Sequence, residues 1–170
     1  MAFFERFALG RAAEPAQSAV DGSLAEGVRD ATAVVVAEVV DVVGLDRPGN
    51  AAQGDRFRNL GIVLRVHDVV TGALPDSEIT VVFFADDRAG LVEGMRAARP
   101  AGLAVWFVRP RSDKTDTSGM FVTSSFQGLF VQGRDHVVSP RDPGERDNMA
   151  AEGRRYARLS QLVAHIRTLG

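Results

Sequence analysis

Only seven residues, TGALPDS at 71–77, separate the apolar run FRNLGIVLRVHDVV (57–70) from the apolar run EITVVFF (78–84). Two parallel strands need a crossover of about a dozen residues or more, usually helical. The connection is too short for that, so these strands are expected to be antiparallel neighbours, which argues against an alternating parallel α/β sheet. Both runs carry a period of two. Ile62, Leu64 and Val66 alternate with Arg65 and His67, which point the other way, and Ile79, Val81 and Phe83 share one side.

The rest of the chain continues the pattern. ATAVVVAEVVDVV (31–43) is dense in β-branched residues and reads as a strand. LAVWFVRP (103–110) is apolar on both faces, which predicts a central strand. MFVTSS, GLFVQ and HVVSP read as three short strands, with Gly133, Arg134 and Asp135 at a hairpin tip. Ser23 and Glu26 have the spacing of a capping box ahead of a short helix that lines up Leu24, Val28 and Ala31. LVEGMRAA supplies one or two helical turns before Pro100. A closing helix over 157–169 places Leu159, Leu162, Val163, Ile166 and Leu169 on one stripe. The charged stretch 139–155 is expected to be loose. Residues 1–22 read as an N-terminal arm and linker, and 23–170 as a single domain. Short strands closed by a helix fit a mainly β (α+β) Greek-key barrel.

Composition narrows the chemistry. Twenty basic side chains face 22 acidic ones, a net charge of −2, which argues against a protein built to cover phosphates. With no cysteine, disulfides, thiolate zinc sites, iron–sulfur clusters and a cysteine nucleophile are excluded. The start MAFFERFALGR is interrupted by Glu5 and Arg6 before a leader-like apolar run forms, so a cytoplasmic location without a signal peptide is expected. No window approaches the roughly 18 apolar residues of a membrane span.

His67, His136 and His165 form no HxH, HxxxH or HExxH spacing. The first two are expected on strands and the third on the polar side of the last helix, as surface or half-buried imidazoles. Ser124 and Ser125 precede FQG without a G-x-S-x-G elbow, and read as turn residues that cap backbone amides. Asp86, Asp87, Asp113 and Asp116 read as solvated loop carboxylates outside any EF-hand pattern. Phosphate-binding glycine loops do not occur. No cofactor, metal or catalytic residue is therefore expected. The feature composition does not explain is the cluster Phe3, Phe4, Phe7 and Leu9. Either it folds back to cap the domain, or it is a partner-binding arm that docks in another protein's groove.

The series ATAVVVAEVVDVV, IVLRVHDVVTGALP, EITVVFF, LAVWFVRP and SSFQGLFVQGRDHVVSP resembles the OB-like domains of uncharacterised, mostly secreted bacterial proteins. Their barrel is similar to that of the tissue inhibitors of metalloproteinases. The resemblance spans about residues 23–170. It is carried by Val66, Val69, Gly72, Leu74 and Pro75, and by Ser125, Gln127, Gly128 and Phe130. It implies an OB-like Greek-key barrel with a short helix before the first strand. The inhibitors act through an N-terminal cysteine on the target zinc, and this chain has none to carry that role. The expected function is a non-catalytic protein-binding or assembly module, with a protein partner or self-association. The alternatives are a single-stranded nucleic-acid-binding OB-fold protein and an enzyme with an unadvertised site.

Overall fold

The structure, a computed structural model, describes residue 3 and residues 22–45, 57–86, 90–111, 119–124, 128–140 and 149–170. Among the described residues, seven strands and four helices make a mixed α+β fold that is mostly β. In chain order they are α1 (Leu24–Asp30), β1 (Ala33–Leu45), β2 (Phe57–Gly72), β3 (Glu78–Asp86), α2 (Leu91–Ala97), β4 (Leu103–Pro110), β5 (Met120–Thr123), β6 (Leu129–Gln132), β7 (Val137–Val138), α3 (Met149–Gly153) and α4 (Leu159–Leu169).

As the short 71–77 connection requires, β2 and β3 pair antiparallel, from Phe57–Asp86 to Arg65–Glu78. The sheet order is β1–β2–β3–β5–β4–β6–β7, and β4 also pairs with β1. One pairing departs from the antiparallel expectation, because β3 and β5 run parallel through Thr80–Met120 and Val81–Phe121. Two-residue pairing of strands this far apart in sequence leaves no local signal. Gly72 ends β2 at φ +75°, and a Cβ there would stand 2.1 Å from the Thr32 carbonyl oxygen. Only glycine fits that turn without strain.

Alternation along the strands divides the core in two. Val35, Ala37 and Val39 of β1 join Ile62 and Leu64 of β2, Val81 and Phe83 of β3, and Trp106 of β4 in a first cluster. Met95 of α2 is buried there too. The intervening Val34 and Val36, with Val105 and Phe107 of β4 and Phe130 of β6, face the other way into a second cluster under α1, α3 and α4. This explains why β4 is apolar on both faces: each face meets its own core. The Phe107 and Phe130 rings sit 5.9 Å apart at a tilt, a geometry worth about 0.5–1.5 kcal/mol beyond burial.

The helices follow their end signals. Ser23 Oγ accepts from the Glu26 amide while Glu26 accepts from the Ser23 amide, the reciprocal capping box. The α4 stripe docks as its periodicity predicts, with Leu162, Val163 and Ile166 buried. Gln132 of β6 anchors its start, accepting from the Leu159 amide at 2.8 Å and donating to the Ala157 carbonyl at 3.0 Å.

Within the stretch expected to be loose, residues 149–153 form α3, with Met149, Ala150 and Gly153 buried. Five residues are too few to show a period. What holds them is contact: Gly153 lies flat on Phe130, and Gly27 of α1 lies on Met149. His136 also differs from expectation, since it sits in the turn before β7. Residues 141–148 lie outside the described residues.

Candidate functional site

The second face of the sheet is covered by helices for only part of its extent. Along β1 the cover stops between Val36 and Glu38: Val36 is buried in the second cluster, and Glu38 is partly exposed. At Glu38 the register aligns four residues across four strands, Leu103 of β4, Glu38 of β1, Arg65 of β2 and Glu78 of β3. Directly opposed residues share a face, so these side chains form one transverse row. Leu103 is 45% exposed, unusual for a large apolar residue on a central strand.

The row is electrostatically ordered. Arg65 Nη1 donates to Glu38 Oε1 at 3.1 Å, and His67 Nε2 reaches the same oxygen at 3.2 Å. Arg65 thus stands between the carboxylates of Glu38 and Glu78. Beyond the row Val63 of β2 is flanked by Asp41 of β1 and Thr80 of β3, and Gly61 opposes both Val43 and Val82. A Cβ on Gly61 would come within 2.8 Å of the Val43 and Thr80 methyl groups, so glycine lets its neighbours close over it.

At its β1 margin the face meets a second charged group. Arg96 Nε donates to Asp41 Oδ1 at 2.7 Å, and the same oxygen accepts from the Val42 amide at 2.8 Å. The guanidinium of Arg96 first, and the Val42 N–H second, hold the Asp41 carboxyl below the usual carboxylate range. On the helix-covered side, burial pushes the Tyr156 hydroxyl up, and its ring stacks on His165 with centroids 5.5 Å apart.

Comparison with protein-family models, with curated proteins and with solved structures finds no match to this chain.

Phe3 is buried to 2% exposure in the first cluster, packed within its own domain. Phe4, Phe7 and Leu9 lie outside the described residues, as do Ser125, Asp87, Asp113 and Asp116. The three histidines are not brought together: His67 joins the Glu38 row, His136 is exposed in its turn, and His165 stacks on Tyr156. Ser124 donates its amide to the Phe107 carbonyl. An open cleft of about 340 Å³ lies elsewhere, among Val28, Arg29, Thr71 and Leu169. Among the described residues no helix is long and apolar enough to cross a membrane. Glu38, Glu78 and Leu103 are the site residues that the sequence reading missed. Their signal was the interruption of an apolar strand by one charge, visible at Glu38 within AVVVAEVV.

Proposed function

We propose that this chain is a non-catalytic protein-binding module on an OB-like barrel scaffold. The scaffold reading is supported by the pairing order, which runs β1–β2–β3–β5–β4 and returns to β1, and by a helix placed in the chain between β3 and β4. The observation that carries the function is the row Leu103–Glu38–Arg65–Glu78. An exposed leucine beside an alternating pattern of charge on a broad sheet face suits a protein surface, where an apolar anchor supplies energy and charges set register. The same row weighs against single-stranded nucleic acid. Such proteins line a basic groove with exposed aromatics, whereas here the arginine is bracketed by two carboxylates and Trp106 is fully buried.

The test is native purification of the parent chain and of the variant Arg65→Glu/Leu103→Ser. A protein that copurifies stoichiometrically with the parent, and is lost from a variant of unchanged melting temperature, is the expected result. Anisotropy of a labelled single-stranded oligonucleotide supplies the contrary arm. Tight, salt-dependent binding that Arg65→Glu abolishes would overturn the protein reading.

A further inference from the structure

The partnering of β1 changes halfway along its length. From Ala33 to Glu38 it pairs with β2 on one side and β4 on the other, and Glu38–Leu103 is the last β4 pair. Residues 39–45 continue against β2 as far as Leu45–Asn59, and among the described residues no strand takes their other edge. A register shift between Val39 and Asp41 marks a bulge at Val40. Unpaired edge groups of this kind are a template for another strand.

Here the edge is occupied by side chains. Arg99 Nη1 donates to the Val40 carbonyl at 2.8 Å. Arg96 Nη2 donates to the Val42 carbonyl at 2.8 Å, while its Nε holds Asp41. The Asp41 carboxylate in turn accepts from the Val42 amide. Three consecutive backbone groups that a pairing strand would use are thus capped by two arginines and one aspartate. The segment beneath, VVDVVGL, is what such a cap is needed for: β-branched, apolar and carrying a single charge.

We propose that Asp41, Arg96 and Arg99 guard this half of β1 against strand addition, and that the occupant they exclude is the same edge of a second copy, paired antiparallel about a two-fold axis. Antiparallel pairing lets one segment meet itself in an isologous contact. Seven residues match the length of an ordinary strand. A β1–β1 junction would also join the two exposed faces into one continuous sheet. Asp41 belongs to the guard because its carboxylate would oppose the two-fold copy of itself once Arg96 is gone.

The test uses the full chain with Asp41→Ala, Arg96→Ala and Arg99→Ala combined, its molar mass followed by light scattering over a dilution series. The expected result is a mass approaching twice the parent's at high concentration and returning to it on dilution. Adding Gly44→Pro should restore the parent's mass. Gly44 lies two residues beyond Val42 on the same edge, and a Cβ there meets only a Val92 methyl at 3.6 Å. Proline removes the amide that a second strand needs and is tolerated at a free edge. Should the triple alanine variant melt far below the parent, Asp41→Asn/Arg96→Gln/Arg99→Gln keeps most of each side chain while removing the charges and the guanidinium forks, and the same mass shift is expected. A folded variant that keeps the parent's mass at every concentration would overturn the proposal, as would a dimer that survives Gly44→Pro.

Discussion

One face of the sheet is finished in two different ways. Beneath α1, α3 and α4 it carries Val34, Val36, Val105, Phe107 and Phe130 and excludes water. A single step further along β1 it carries Glu38, Arg65, Glu78 and Leu103 in the open. The strands are the same, so the difference lies in which side chains the helices can reach. Covered residues supply stability through buried area. Uncovered residues, exposed and paired across strands, contribute little to folding and are available to something else.

Substitutions can break that comparison. Phe130→Ala, in the covered half, should cost about 3–5 kcal/mol, the range for truncating a buried aromatic, measured by urea denaturation. A loss under about 1 kcal/mol would mean that the helices do not form a core with the sheet. Leu162→Ala on α4 should fall at about 2–5 kcal/mol, and an effect near zero would show the helix to be undocked. Gly153→Ala probes how tightly the cover fits, because the new methyl would stand 2.3 Å from the Phe130 ring. Overpacking of this kind costs about 1–3 kcal/mol, and a neutral melt would show that α3 can slide. In the open half, Glu38→Ala and Leu103→Ala should each change stability by no more than about 0.5 kcal/mol. A large loss from either would make the open face part of the core.

The smallest expected effect is a pH dependence. The folded Asp41 carboxyl is depressed, so its contribution is fully present above the unfolded value of about 4. It fades as pH falls through the lower folded value. Asp41→Asn should therefore lower the neutral plateau of the melting-temperature curve slightly and flatten its acid limb below pH of about 4. An unchanged acid limb would mean that the Arg96 contact is not maintained in solution.

Much of this comparison was legible in the chain itself. The alternation of Ile62, Leu64 and Val66 with Arg65 and His67 marks two faces of β2, and the doubly apolar LAVWFVRP announces that β4 has a core on each side. The stripe on α4 and the Ser23–Glu26 capping box are local patterns, and local patterns survive translation into structure. Register is less accessible. Nothing near Leu103 says that it will stand beside Glu38, because that depends on how β4 slides along β1. The parallel β3–β5 contact and α3 are hidden for a related reason: each is made by partners far away in sequence.

The amide of Leu24, at the start of α1, donates to Glu152 Oε2 across 128 residues of chain. The cover over Val34, Val36 and Phe107 thus draws on segments made early and late. At synthesis rates of about 5–20 residues per second, β1 waits on the order of ten seconds before α4 leaves the ribosome. Throughout that interval the valines of β1 face water or whatever shields nascent chains. The second core can close only once α4 has been made, which makes that helix the timing step for the birth of this fold.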